Sequence, residues 1–170
     1  MPTNVTASVA IRYDYVKGGN LLVTQNQLGS TLWDLEWTNG TSFYFDRQSN
    51  TCKVLTFPVG ILAPDWLKGA QYLGRENVSS HLCDVWRKGP MNFITYWADV
   101  QSGQPVRFVF GMNGMQMDVI TWEESKVLAD EFWQAPNSCF SPETHMQLPP
   151  SSEAIHMNKL ISSELDVSAN

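Results

Sequence analysis

Short runs of apolar and polar residues, punctuated by Gly and Asn, dominate the chain. The pattern predicts strands over residues 21–25, 32–37, 42–46, 52–57, 82–88, 93–99, 105–110 and 115–122. Turn signals separate them at Gly18-Gly19-Asn20, Asn39-Gly40, Gln48-Ser49-Asn50, Lys88-Gly89-Pro90, Ser102-Gly103 and Asn113-Gly114. Each supplies a residue that tolerates positive φ. Two stretches carry helical spacing instead. Residues 63–73 place Trp66, Leu67, Ala70 and Leu73 at such intervals after Pro64, and 122–132 carry Val127, Leu128 and Glu131.

The hairpin around Asn39-Gly40 carries the most detail. A two-residue loop there sets Trp37 opposite Ser42 and Leu35 opposite Tyr44. Alternation then groups Trp33, Leu35, Trp37 and Tyr44 on one face, and Asp34, Glu36, Phe43 and Phe45 on the other. Neither face is plainly solvated. Residues 93–99 read the same way, with Phe93, Thr95 and Trp97 against Ile94, Tyr96 and Ala98. The fold class expected is mainly β: a curved antiparallel sheet, as a half-barrel or lipocalin-like barrel, with one to three short helices and an apolar cavity. A two-layer sheet with a helix packed on it fits the same pattern. Residues 10–140 are expected to form a single β-rich domain. Residues 141–170 shift in composition and read as a linker followed by a short amphipathic helix through Ile155, Leu160, Ile161 and Leu165, or as a frayed end.

Composition narrows the partners. The 170 residues hold 11 Lys and Arg against 17 Asp and Glu, a net charge of −6, which lacks the basic face that nucleic acid or an anionic membrane requires. Only 16% of residues are charged while 43% are hydrophobic, which excludes intrinsic disorder across the chain. No apolar run approaches the roughly 20 residues of a membrane span. The sequence leaves the oligomeric state open.

Three N-x-[ST] sequons, at Asn4, Asn39 and Asn77, point toward the secretory pathway. The opening Met1-Pro2-Thr3-Asn4-Val5-Thr6 has no basic region followed by an apolar stretch, so the expectation is a mature secreted chain whose leader has been removed. Cys52, Cys83 and Cys139 allow one bridge and one free thiol. Sequence does not settle the connectivity. Cys52–Cys139 is the expected pair, because it pins the segment after Trp133-Gln134-Ala135-Pro136 to the front half of the chain.

Recognised catalytic and cofactor motifs are absent: there is no Gly-rich phosphate loop, H-E-x-x-H, G-x-S-x-G or C-x-x-C. His81, His145 and His156 are not spaced as a local metal set, and no cofactor or metal is expected. His81 precedes the strand at 82–88. It reads either as a loop-edge surface residue or as a general acid or base, with Cys83 as a buried small hydrophobe or an adjacent nucleophile. Asp34 and Glu36 share a face at i and i+2. They form either an exposed polar face or a desolvated pair in which one carboxyl titrates near neutrality. The expected catalytic set is His81, Glu36 and Tyr96. Trp33, Trp37, Tyr44, Trp86 and Trp97 are expected to bind an apolar small molecule.

Several stretches resemble a plant family of small secreted proteins of largely uncharacterised function, sometimes loosely labelled as transferring glycosyl groups. The resemblance rests on Gln27-Leu28-Gly29, the run from Leu32 to Phe43, Val59-Gly60-Ile61-Leu62-Ala63-Pro64-Asp65-Trp66-Leu67 and Ala70-Gln71-Tyr72-Leu73-Gly74. It continues through Leu82-Cys83-Asp84-Val85-Trp86, Pro105-Val106-Arg107 and Trp133-Gln134-Ala135-Pro136-Asn137-Ser138-Cys139-Phe140. It implies a removed signal peptide and residence in the apoplast or vacuole. More distantly the pattern is similar to ependymin-related and lipoprotein-carrier half-barrels, which enclose an apolar pocket. Tyr15-Val16 replaces the family's Trp-Pro, Ser79-Ser80-His81 replaces an Asp-Gly-aromatic run, and the tail after Phe140 does not match. The activity expected is binding of an apolar plant metabolite, with cofactor-free acid–base isomerisation or cyclisation of it. Alternatives are a non-catalytic carrier and a glycoside-active enzyme using Asp34 and Glu36.

Overall fold

The computed structural model describes residues 6–26, 29–89, 93–111 and 114–141. They fall into two compact units, one built from residues 6–64 with 128–141 and the other from 65–127. Each unit is built on one five-stranded antiparallel meander, so the fold is mainly β. Asn4 and the amphipathic stretch expected in the tail lie outside the described residues.

The first sheet runs in sequence order through β1 (Ala7–Asp14), β2 (Gly19–Asn26), β3 (Thr31–Trp37), β4 (Thr41–Asp46) and β5 (Thr51–Thr56). The second follows the same up-and-down logic through β6 (Gln71–Val78), β7 (His81–Lys88), β8 (Ile94–Asp99), β9 (Pro105–Phe110) and β10 (Met115–Asp118). Neither sheet closes on itself: β1 and β5 are the edges of one, β6 and β10 the edges of the other. The lipocalin-like closed barrel is therefore corrected to two open sheets. Residues 57–70, which include Pro58 and Pro64, separate β5 from β6 and add no strand to either sheet.

Both helical expectations give way. Over 63–73, Lys68 N–H bonds the Asp65 carbonyl at 2.7 Å and Ala70 N–H the Leu67 carbonyl at 2.8 Å, which are successive tight turns. Gly69 then takes φ +77° and β6 begins at Gln71. Cross-strand packing outweighs the helical spacing, since the Tyr72 ring packs, tilted, against Trp86 with centroids 4.8 Å apart. Over 122–132, Ser125 stands at φ +59°, which no α-helix admits, and the only helical element is the start of the 3-10 turn Asp130–Trp133; a second 3-10 turn, Asn137–Phe140, follows.

The core of the first unit gathers on one face of its sheet. Leu21, Leu35, Phe45 and Cys139 are 0–1% exposed, with Trp133 beside them. Burial of such side chains contributes roughly 1.5–3 kcal/mol each. The Cys52–Cys139 disulfide, with Cα atoms 5.0 Å apart, ties β5 to the second 3-10 turn, in the pairing expected. In the second unit Val78, Cys83 and Val106 pack with Trp97.

Candidate functional site

The β3–β4 hairpin has a three-residue loop, and this decides the site. Thr38, Asn39 and Gly40 connect the strands; the Gly40 N–H bonds the Trp37 carbonyl at 3.0 Å and Gly40 takes φ +82°. A turn followed by a left-handed glycine is the usual three-residue solution. Backbone presses on Gly40 as well: a Cβ there would stand 2.0 Å from the Phe57 carbonyl oxygen. The extra loop residue moves the register by one, so Leu35 faces Phe43 and Asp34 faces Tyr44. A one-residue slip transfers every partner to the other face. Trp33, Leu35, Trp37, Phe43 and Phe45 thus share the core face, while Asp34, Glu36, Ser42 and Tyr44 share the opposite one. The expected grouping of the two carboxyls with Phe43 and Phe45 is corrected accordingly.

This polar face is half-buried. The neighbouring strand adds Asn20, directly opposite Glu36, and its Nδ2 donates to Glu36 Oε2 at 2.7 Å. Leu22 lies opposite Asp34 on the same strand. Ser42, only 3% exposed, stands opposite Glu36 on the other side. Among the described residues, Asp34 Oδ1 and Asn20 Oδ1 are buried without a hydrogen-bond partner. Burial, then the negative charge of Glu36, pushes the Asp34 carboxyl up to about 7, against a hydrogen bond from the Tyr44 phenol. Burial also raises Glu36, with the Asn20 bond opposing it. The Tyr44 phenol is held above its ordinary value by burial, then by the charges of Asp34 and Glu36. One strand therefore carries two carboxyls side by side, one of which exchanges its proton near neutral pH.

Of the other expected residues in the first unit, Trp33 and Trp37 lie on the opposite, core face. Trp33 stacks on Phe45 at 5.9 Å, with the Arg47 guanidinium 4.4 Å over its ring. Trp37 packs against Trp133 on the core side. With Phe43, Gln134, Ala135, Asn137 and Phe140 these two rings line a shallow groove of about 380 Å³. In the second unit, register puts His81, Cys83, Trp97 and Asp99 on one face of the sheet and Trp86 and Tyr96 on the other. His81 and Tyr96 consequently form no common site.

The His81 side chain is 55% exposed, and its Nδ1 lies 3.0 Å from Asp99 Oδ2. Asp99 is drawn down to about 2, first by the Ser102 backbone N–H and then by His81. The Cys83 thiol points at the His81 carbonyl oxygen, 3.6 Å away. Burial, then the charge of Asp99, raises its pKa, which keeps it a neutral thiol rather than a nucleophilic thiolate. Tyr96, likewise raised by burial, belongs to a row of aromatic contacts: Trp66 at 5.3 Å and Phe108 at 5.0 Å. Among the described residues no group of three or more His, Cys, Asp or Glu side chains is placed to hold a metal ion. None of the helices among them is long and apolar enough to cross a membrane.

Asn20 and Ser42 are the site residues that sequence reasoning missed. The available signal was Gly40 itself: with glycine as the third loop residue, the hairpin brings Ser42 and Tyr44 to the carboxylate face.

The chain belongs to a family known as a domain of unknown function, DUF8395, whose model matches residues 3–139. No curated protein matches it.

Proposed function

We propose that this protein binds a small organic molecule against the polar face of its first sheet and moves a proton on it without a cofactor. Asp34 is the acid–base group. Glu36 is the fixed negative charge beside it, and Tyr44 and Asn20 orient the two carboxyls. The observation that carries the reading is Asp34 itself, half-buried next to Glu36 and brought to about 7. General acid–base catalysis is most effective when the catalytic pKa lies near the working pH, and contributes typically about 10²–10⁴-fold. We give His81 no role in this reading; its Nδ1 lies beside Asp99 on its own sheet. A glycoside-active pair would flank the scissile bond. Asp34 and Glu36 instead stand side by side on one strand.

The disulfide supports an oxidising compartment, and the exposed Asn39 and Asn77 sequons fit passage through the secretory pathway. Secretion to the apoplast or vacuole of a plant is the setting we infer. A carrier reading has one observation in its favour, the groove beside Trp37 and Trp133.

The test is product formation from a plant metabolite extract, followed by mass spectrometry, with wild type, Asp34→Asn and Trp133→Ala. Compounds converted by wild type, with a loss of about 100-fold or more in Asp34→Asn, are expected. Unaltered compounds retained by wild type and lost in Trp133→Ala identify a carrier and overturn the acid–base assignment.

A further inference from the structure

The polar face of the first sheet is one-sided in its chemistry. Asp34 Oδ1 and Asn20 Oδ1 are acceptor atoms, buried and unpartnered among the described residues. Glu36 takes a single donor from the same face, Asn20 Nδ2. Ser42, 3% exposed, stands opposite Glu36 on the same face. Buried polar atoms normally have partners, so these two orphan acceptors mark the place of a missing donor.

Cations within the unit do not fill that place. Of its described Lys and Arg residues, Arg12 lies over the Phe132 ring and Lys17 pairs with Asp130. Arg47 covers Trp33 on the core side. Lys53, opposite Tyr44, is exposed and pairs with neither carboxyl. The titratable groups facing Asp34 are Glu36 and Tyr44, and no cation is among its influences.

We propose that the ligand of this site is a protonated primary amine, seated with its ammonium group between Asp34, Glu36 and Asn20. An ammonium carries three donors and no acceptor, which matches the carboxyl oxygens of Asp34 and Glu36 and the orphan amide oxygen of Asn20. A neutral alcohol offers one donor and brings lone pairs toward carboxylate oxygens. The Tyr44 ring and Leu22 supply the adjoining apolar contact. This assignment rests on the acid–base reading of the same site and names its substrate class.

The experiment compares 2-phenylethylammonium with 2-phenylethanol by calorimetric titration at pH about 8, on the full disulfide-bonded chain, with Asp34 followed by carbon-13 NMR. The amine is expected to bind about 10-fold or more tightly than the alcohol, since charge-assisted bonds are roughly twice as strong as neutral ones. That preference should vanish in Asp34→Asn and in Glu36→Gln, both checked for an unchanged circular dichroism spectrum. The alcohol binding as tightly as the amine, the preference surviving both substitutions, or no binding of the amine at millimolar concentration would each overturn the assignment. Asp34 titrating near 7 in free protein that ignores the amine removes the amine alone. Asp34 titrating below about 5, within the ordinary aspartate range, removes the acid–base reading itself.

Discussion

Replacing Asp34 by Asn keeps the shape of the side chain and deletes its charge. Asp34 stands at about 7 in the fold against an ordinary aspartate value of 3.8. The folded state therefore holds this proton more tightly than the unfolded chain does between those two values. Stability is greatest below about pH 4 with respect to this group and falls as the pH rises through 7. At 1.36 kcal/mol per pH unit the full difference is about 4 kcal/mol, which residual solvent contact reduces to about 2–3 kcal/mol.

Asp84, Asp99 and Asp118 are held low by hydrogen bonds and act in the opposite direction, losing their contribution as the pH falls through their folded values. They are common to both proteins and cancel in the comparison. Urea unfolding of wild type and Asp34→Asn, followed by tryptophan fluorescence, isolates the Asp34 contribution. The two should be equally stable near pH about 4, and the variant more stable by about 2–3 kcal/mol near pH about 8. Equal stability at both pH values, or a wild type more stable than the variant at the higher one, refutes the burial argument.

Cys52→Ser with Cys139→Ser opens a bridge spanning 87 residues and should cost about 4–5 kcal/mol in denaturant unfolding; a cost below about 1 kcal/mol would show that the unfolded chain is not constrained by it. Gly40→Ala drives a Cβ into the Phe57 carbonyl at positive φ, so the melting temperature should fall by several degrees; an unchanged value would refute the hairpin geometry. His81→Ala breaks an exposed pair with Asp99 and should change stability by less than about 1 kcal/mol while leaving the NMR midpoint of Asp34 in place; a moved midpoint would tie His81 to the site. Secretion from a eukaryotic host should add a glycan at Asn39 and at Asn77, each removed by Asn→Gln; an intact mass equal to the bare polypeptide excludes both.

Much of the strand pattern was legible because alternation and turn residues are local properties. The seven strands β2–β5 and β7–β9 fall where the periodicity predicts, to within a residue or two at their ends. β1 was missed although Val9, Ile11 and Tyr13 alternate with Ser8, Arg12 and Asp14; it is an edge strand, mostly exposed, and buries neither face cleanly. β6 was missed because Trp66, Leu67, Ala70 and Leu73 mimic a helical face, and only pairing with β7 gives Tyr72 its partner. The bridge between Cys52 and Cys139 was the expected choice, yet three cysteines alone leave the pairing open.

The candidate site shows the same division. Sequence alone placed Asp34 and Glu36 on one face of one strand, because a strand repeats every two residues whatever its neighbours do. It could not say which residues share that face. That depends on a single loop residue: three rather than two between β3 and β4 exchanges Phe43 and Phe45 for Ser42 and Tyr44. Nor could it separate His81 from Tyr96, since pairing across β6, β7 and β8 assigns them to opposite faces. Composition, alternation and turn chemistry determined a β protein with a pair of carboxyls. Only the register and the burial that follows from it decided that the pair stands apart from the aromatic core, with Asp34 poised between its two protonation states. A pKa is set by whatever surrounds the group in space, and those surroundings come from distant parts of the chain.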